Sequence, residues 1–236
     1  MMIRLGNFFF RYRNGLFLMA YLLLFCPSPQ LFNDYALAAG LGLAIALLGQ
    51  LLRAVTIGLA YIKRGGKKRQ VYAETLVQEG VFAHCRNPLY VGNFLILVGL
   101  ALIANSVLFV AVGVPFFIMA YLAIIAAEEN YLRQKFGDEF DDYCARVPRL
   151  FPILSGLKQP LQSMGFNWQR LVVKEYGSAY AWMAGAILLM LKHHWLHQQA
   201  PTASPLVVSL LVCLVTISFL YGLARYLKKV QILRAE

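Results

Sequence analysis

The segment LYVGNFLILVGLALIANSVLFVAVGVPFFIMAYLAIIAA, residues 89–127, decides the fold because it contains no Asp, Glu, Lys or Arg. A bilayer core needs roughly 20 apolar residues for each helix that crosses it. The polar pair Asn105-Ser106 divides the segment into two runs, 89–104 and 107–127, with no other residue between them. The pattern therefore predicts two membrane helices joined as a tight hairpin.

Four further apolar runs lie outside this hairpin: 15–26, 36–62, 177–191 and 206–227. Hydrophobic residues make up 60% of the chain and charged residues 14%, whereas average soluble domains have roughly 45–50% and 25%. Mean hydropathy is +0.61. This composition excludes a soluble enzyme, a disordered tail and a disulfide scaffold. We predict an all-α polytopic membrane protein with about six transmembrane helices.

The first of these runs is short because Pro27 and Pro29 end it. It reaches spanning length only if its helix begins near Phe8, with Arg11 and Arg13 extending to the membrane surface. No signal-peptide cleavage pattern follows it, so we expect this span to be retained.

The net charge of +11 is explained by the membrane rather than by nucleic acid. In the six-span topology, every Lys and Arg except Arg53 and Lys192 falls on one side. Cytoplasmic loops of membrane proteins collect Lys and Arg, so we predict an integral, multi-pass protein with both termini and the two long loops in the cytoplasm. Basic flanks also favour anionic lipid headgroups. We expect the lipid bilayer as a partner and no nucleic acid.

The cysteines and histidines do not form a metal-binding pattern. The four cysteines lie far apart and are predicted to be free thiols: Cys26, Cys85, Cys144 and Cys213. His193, His194 and His197 lie at the outer end of the fifth predicted span, with no carboxylate or Cys nearby in the sequence. Because His and Trp are common at span ends, we predict no metal site.

The first long loop ends in the sequence EGVFAHCRNPLYVGN, residues 79–93. Arg86 stands where the chain enters the membrane, and Pro88 fits the first turn of a helix because its missing N–H would be unpaired there. Tyr90 and Asn93 share one helix face, and Gly92 allows a backbone or a ligand to approach closely. An arginine beside a helix N-terminus suits an anionic group such as a carboxylate. The alternative is that these residues only supply basic charge and a helix start.

The second long loop begins with a helix that continues past the membrane edge. We predict that this helix runs to Phe136, that Gly137 caps it, and that a new helix begins at Asp138 and ends before Pro148.

Glu128 and Glu129 lie at the hydrocarbon edge, where ionisable groups are functional candidates by default. They point about 100° apart on a helix, so they need different partners. Glu129 is predicted to pair with Arg133 at i,i+4. Glu128 has Leu132 at that position, so we predict that Glu128 turns inward. Gln50 and Arg53 form a third polar pair at membrane depth, which either extends to the cytoplasm or lines a cavity with these elements.

The sequence RNPLYVG at 86–92 resembles the R-[HN]-P-x-Y-x-G signature of the isoprenylcysteine carboxyl methyltransferase and phospholipid methyltransferase superfamily. EENYLRQKFGDEFDDYCARVPR at 128–149 resembles its second signature, E-E-x-x-L-x-x-x-F-G-x-x-[YF]-x-x-Y-x-x-x-V-P-R. The resemblance covers residues 36–152 and departs from the family at His84-Cys85 and Phe140. We divide the chain into an N-terminal span and flank (1–35), a methyltransferase core (36–154) and a C-terminal helical hairpin (155–236).

The resemblance implies a membrane methyltransferase that uses S-adenosylmethionine, bound in a cytoplasmic-side pocket between the two motifs. No strand–GxGxxG–helix unit is present in the sequence, consistent with a pocket of this kind. The cofactor-binding residues expected from the resemblance are Arg86, Asn87, Pro88, Tyr90, Gly92, Glu128, Glu129 and Tyr143. The predicted catalytic residues are Glu128, Arg149 and Arg53.

The chemistry of the cofactor fits these residue types. Arg86 and the adjoining helix N-terminus suit the carboxylate of its amino-acid tail, and Glu128 or Glu129 suits the ammonium. Methyl transfer is an in-line displacement, so positioning carries most of the catalysis.

The acceptor is a lipid, a prenylated compound or a small hydrophobic molecule, and the sequence does not choose among them. Two alternatives remain open: a membrane reductase of the sterol reductase type that uses a nicotinamide cofactor, and a non-catalytic membrane or transport protein. The sequence also leaves open the oligomeric state, the identity of the membrane and the role of the last two spans.

Overall fold

The computed structural model describes residues 1–59, 73–153, 155–156, 165–197 and 204–234. Within these residues the chain forms seven α-helices: α1 Met2–Leu22, α2 Tyr35–Leu59, α3 Pro88–Ala104, α4 Val114–Phe136, α5 Asp138–Arg146, α6 Trp168–His197 and α7 Pro205–Lys229. Two 3₁₀ turns, Leu23–Phe25 and Gly80–Ala83, and a π turn, Phe109–Gly113, complete the elements. The prediction of an all-α protein is confirmed. The basic stretch 63–69 and Lys158 lie outside the described residues.

Three segments in the described part of the chain are long and apolar enough to cross a membrane: Tyr35–Leu59, Phe109–Phe136 and Pro205–Lys229. Pro88–Ala104 is a shorter apolar helix between the first two of them. The chain is therefore a helical membrane protein.

Two helices begin earlier than the apolar runs predict. Helix α1 starts at Met2 rather than near Phe8, and α6 starts at Trp168 rather than near 177. The start of α6 is fixed by Asn167, whose side-chain Oδ1 accepts a hydrogen bond of 2.8 Å from the backbone N–H of Arg170. Such a capping bond begins a helix whether or not the first turn is apolar.

The predicted tight turn between α3 and α4 is present. Asn105 ends α3 in the left-handed region, with φ 50°, a conformation that asparagine tolerates better than most residues. Its side-chain oxygen accepts hydrogen bonds from the backbone N–H groups of Leu31 and Phe32, at 3.0 and 2.9 Å, and its amide donates to the Phe32 carbonyl at 2.8 Å. The turn is thereby fixed to the loop between α1 and α2.

Helices α2 and α3 make the most extensive helix pair in the bundle, and glycines allow it. A Cβ on Gly42 would lie 2.6 Å from the carbonyl oxygen of Gly99, and a Cβ on Gly49 would lie 2.6 Å from that of Gly92. Side chains at these positions would therefore force the two backbones apart. Small residues at such contacts are the usual means of close helix packing in membranes.

The remaining helices enclose the α2–α3 pair. Helix α1 packs against α4, where Phe17 and Tyr21 contact Phe117 and Tyr121 through tilted and edge-to-face rings. Helix α6 packs across both α2 and α3, and the main contact of α7 is with α6. The end of the bundle where α3 begins and α4 ends is called the motif end below, because both sequence motifs lie there.

At the motif end, Gly137 ends α4 with φ 54° and α5 follows at once, as predicted. The turn lays α5 back against the end of α4, where Phe140 and Tyr143 pack on Leu132. This reversal brings the second half of the second motif, including Arg149, towards the first motif.

Candidate active site

Glu129 joins the two sequence motifs. Its buried carboxylate pairs with Arg86 (Oε1 to Nη1, 3.3 Å) and also accepts hydrogen bonds from Nε of Arg149, at 3.2 Å, and from Nη2 of Arg149. The predicted pair with Arg133 is wrong, because Arg133 lies on the exposed side of α4 and binds Asp141 of α5 at 2.7 Å. Glu129 instead faces the loops that carry the two arginines.

Backbone contacts hold those loops together. The Arg86 N–H donates to the carbonyl of Pro148 at 2.9 Å, and the side-chain amide of Asn87 donates to the carbonyl of Arg149 at 3.1 Å. The first motif is therefore hydrogen-bonded to the end of the second. These bonds position Arg86 and Arg149 independently of their side-chain contacts.

Arg86 also contacts a thiol, and one of its donor atoms is buried without a partner among the described residues. Its Nη1 donates to the Cys144 sulfur, and its Nε is buried with no hydrogen-bond partner among the described residues. Burial raises the pKa of the Cys144 thiol, and the Arg86 guanidinium opposes that increase. A buried donor without a partner costs free energy, so an additional hydrogen-bond acceptor, such as a carboxylate, fits this position. Arg86, Glu129, Cys144 and Arg149 are called the motif cluster below.

Glu128 faces a different direction from Glu129, as predicted. It is 7% exposed, and the Tyr90 hydroxyl donates to its Oε1 at 3.0 Å. Consecutive residues on a helix point about 100° apart, so one carboxylate reaches the motif cluster and its neighbour reaches the interior of the bundle.

The interior contains a cavity of about 910 Å³ between α1, α2, α3, α4 and α6. Its walls are mainly apolar and aromatic, and its polar lining includes Arg53, Tyr90, Asn93, Glu128 and Glu175. The arginines of the motif cluster do not line it. The candidate site therefore has two adjoining parts, a charged cluster and an apolar cavity, separated by one residue step along α4.

Arg53 lines this interior, and it shares with Gln50 an acidic partner that the sequence analysis missed. Arg53 donates to both carboxylate oxygens of Glu175 in α6, each at 2.7 Å, and its Nη1 donates to Asn93. Gln50 donates to Glu175 at 3.1 Å and accepts a 2.7 Å hydrogen bond from the indole of Trp182. Glu175 is the only acidic residue between Asp142 and Glu236. A buried arginine in a membrane needs a counter-ion. This need, together with the lack of any other acid in that part of the sequence, could have identified Glu175 as the partner of Arg53.

Three other predicted site residues have structural contacts. Pro88 occupies the first turn of α3. A Cβ on Gly92 would lie 2.5 Å from Cγ of Arg53, so this glycine leaves room for the Arg53 stem. The Tyr143 hydroxyl donates to the Phe82 carbonyl at 2.7 Å and holds α5 against the Gly80–Ala83 turn. Contacts of these residues with a cofactor stay predictions.

No group of three or more His, Cys, Asp or Glu side chains placed to hold a metal ion occurs in the described ranges.

The fold and the site together define a helical membrane protein in which two loop motifs meet beside an apolar cavity. Residues 36–139 match the sequence profile of a family described as phospholipid methyltransferase. The match covers less than half of the chain, and it shows that this segment is similar to a membrane methyltransferase family, the resemblance that both motifs predict.

The similar proteins include methyltransferases and a metal-resistance protein. Protein-S-isoprenylcysteine O-methyltransferase of Schizosaccharomyces pombe is 31% identical over 131 residues, 52% of this chain and 52% of that protein. Protein-S-isoprenylcysteine O-methyltransferase B of Arabidopsis thaliana is 30% identical over 118 residues, 48% of this chain and 59% of that protein. The nickel-cobalt-cadmium resistance protein NccN of Alcaligenes xylosoxydans xylosoxydans is 37% identical over 115 residues, 49% of this chain and 48% of that protein.

The chain spans about half the length of these relatives. No solved structure matches it.

Proposed function

We propose that the protein transfers a methyl group from S-adenosylmethionine to a hydrophobic acceptor held in the membrane cavity. The observation that carries this proposal is the buried Nε of Arg86, which has no hydrogen-bond partner in the described part of the chain, in a motif cluster that adjoins an apolar cavity. A charged, water-soluble ligand and an apolar ligand would then meet at the α4 segment that carries Glu128 and Glu129.

The residues of the motif cluster fit the charged end of this cofactor. When bound, S-adenosylmethionine supplies an electrophilic methyl group on a sulfonium. The Nε of Arg86 suits its carboxylate, and the Glu129 carboxylate suits its ammonium. Asn87, Pro88, Tyr90, Gly92, Glu128 and Tyr143 complete the proposed cofactor-binding set. Arg149, which is half exposed and bonded to Glu129, would hold that carboxylate in place as the ligand enters.

The cavity fits an amphiphilic acceptor. Aromatic and aliphatic side chains of α1 and α6 suit a prenyl or acyl chain, and the polar lining suits a headgroup. Glu128, hydrogen-bonded to Tyr90, is placed to accept a proton from an amine acceptor. A carboxylate acceptor would need no base, in which case Glu128 would act by orienting Tyr90.

The proposed topology has six membrane crossings, with both termini and the motif end in the cytoplasm. In addition to the three long apolar helices, it assigns α1, Pro88–Ala104 and α6 to the membrane. The assignment rests on the one-sided distribution of Lys and Arg. It would place the cofactor site on the side where soluble metabolites are present.

The reductase alternative receives no support from the relatives described above, which are named as methyltransferases or metal-resistance proteins. The non-catalytic alternative does not explain why two buried arginine–carboxylate clusters adjoin one cavity.

The proposal is tested by methyl transfer with the purified full-length chain in detergent. S-adenosylmethionine with a radiolabelled methyl group is supplied with two probes, an S-farnesylcysteine derivative and phosphatidylethanolamine, and with a total membrane lipid extract. Label is expected in at least one hydrophobic product, and Glu128→Gln should reduce its rate while the exposed matched acid change Asp141→Asn should not. Absence of labelled product with all three acceptors would contradict the proposal.

A further inference from the structure

The part of the chain beyond the family match contributes a buried acid to the cavity wall. Residues 36–139 match the family, whereas Glu175 lies on α6 and is 3% exposed. Its carboxylate binds Nε and Nη2 of Arg53, each at 2.7 Å, so the two side chains form a bidentate ion pair. This geometry fixes both the position and the plane of the guanidinium.

Arg53 lines the cavity and keeps hydrogen-bonding capacity beyond its described contacts. A guanidinium has five N–H donors and no acceptor, and three of those of Arg53 are used by Glu175 and Asn93. Arg53, Asn93 and Glu175 all line the cavity. A ligand group that meets the remaining donors must itself accept hydrogen bonds, which an oxygen-bearing headgroup does and an ammonium does not.

The first motif is built around this arginine. Gly92 belongs to the motif and lies on α3, and any side chain there would collide with the Arg53 stem and with the carbonyl of Gly49. Asn93, the next residue, accepts a hydrogen bond from Arg53. The segment therefore contributes to both parts of the site. Arg86, at its start, belongs to the motif cluster, and Gly92 and Asn93, at its end, position Arg53 at the cavity wall.

Docking of α6 alone does not require this pair. Replacing a buried ion pair with apolar residues of similar volume is often neutral or stabilising, because desolvation of the two charges offsets their attraction. Helix α6 is also attached to the bundle at its other end, where Lys192 donates to the carbonyls of Leu24 and Cys26 at 3.0 and 3.3 Å. A buried ion pair that lines the cavity is therefore a candidate for a role in the cavity itself.

We propose that Glu175 is a positioning residue for the acceptor: it holds the Arg53 guanidinium so that the free N–H groups bind a headgroup oxygen of the acceptor. Helix α6 then forms part of the acceptor site and contributes to acceptor binding through Glu175. Gln50 supports the arrangement from α2, since it donates to Glu175 and accepts from Trp182. This inference rests on the proposed methyltransferase function and adds the acceptor side of its site.

The test compares three variants of the full-length chain in detergent: Glu175→Gln, the double variant Arg53→Met/Glu175→Met, and the control Lys192→Met. The double variant separates positioning from folding, because an apolar pair removes both charges together. The control weakens a different polar attachment of the same helix. Thermal unfolding, S-adenosylmethionine affinity, and kcat and KM for each acceptor probe that the wild-type chain methylates are measured for all three.

In the double variant, thermal stability and S-adenosylmethionine affinity should stay near wild type, while kcat/KM for the acceptor falls at least about tenfold, the size expected for losing a hydrogen bond to a charged group. Glu175→Gln should lower the same ratio, and Lys192→Met should not. A folded double variant with wild-type kcat/KM would overturn this inference and leave the proposed function intact. Absence of methyl transfer by the wild-type chain would overturn both.

Discussion

Glu128 and Glu129 are neighbours in the chain, but their carboxylates belong to different parts of the site. Glu129 lies between Arg86 and Arg149 in the motif cluster, and Glu128 lies against Tyr90 at the cavity. Substitutions at Glu129 should therefore act on the cofactor, whereas substitutions at Glu128, which adjoins both ligands in the proposed site, should act on the acceptor as well as the cofactor.

The first prediction concerns Glu129→Gln. Loss of the carboxylate leaves two arginines facing each other without a counter-ion, so the loops that carry them should separate. We expect S-adenosylmethionine affinity to fall at least tenfold, or about 1.4 kcal/mol, as measured by isothermal titration calorimetry. Glu139→Gln is the matched control, because Glu139 is exposed on α5 and binds only Gln78, at 2.9 Å, in the described contacts. Equal affinities for the two variants would show that Glu129 plays no part in cofactor binding.

The second prediction concerns Arg86, whose donors serve Glu129, Cys144 and the proposed cofactor carboxylate. Lysine has a point charge and lacks the planar fork of donors. Arg86→Lys should therefore fail to restore the affinity lost in Arg86→Ala, as measured by the same titration. Recovery of wild-type affinity in Arg86→Lys would mean that positive charge alone is needed at this position.

At the residue scale, sequence reasoning worked where local helix geometry decides. The inward orientation of Glu128 followed from its place on α4 and from Leu132 at i+4. It failed where the partner lies far away in the chain, because Arg86 and Arg149 reach Glu129 only through the fold. Glu175 was missed for the same reason: 122 residues separate it from Arg53.

The helices themselves were predicted most accurately where a special residue marks an end. Pro88 begins α3 and Gly137 ends α4, each as expected from its backbone preferences, and Asn105 turns the hairpin where a polar pair interrupts the apolar segment. Apolar runs alone placed the starts of α1 and α6 too late, since a helix continues through polar residues that hydropathy does not count. That displacement concealed the fact that Glu175 lies within α6.

The third prediction concerns packing between α2 and α3. Gly49→Ala would place a Cβ 2.6 Å from the Gly92 carbonyl oxygen, whereas a Cβ on Gly40 meets nothing within 4 Å. Overpacking of this kind costs about 1–3 kcal/mol, so Gly49→Ala should lower the thermal unfolding temperature in detergent. Gly40→Ala should leave it unchanged or raise it slightly, because alanine is the better helix former. Similar shifts for both variants would contradict the close packing described here.

The fourth prediction concerns the whole molecule in its membrane. If six helices cross, tags at both termini and near Gly65-Gly66 should report the cytoplasm, and a tag near Gln198 should report the opposite side. The residues of the two internal tag sites lie outside the described ranges, so this test is independent of the helix packing. Termini on opposite sides would reveal an odd number of crossings, with α1 the first helix to reconsider because Pro27 and Pro29 shorten its apolar run.

Binding of S-adenosylmethionine by the purified full-length chain in detergent tests the central claim most directly. Isothermal titration of the wild-type protein should show one saturable site for S-adenosylmethionine or for its demethylated product, with micromolar-range affinity as a rough expectation for a metabolite site. The same titration with a reduced nicotinamide nucleotide should show none. Saturable binding of the nicotinamide nucleotide, without binding of either sulfur compound, would contradict the account and favour a reductase.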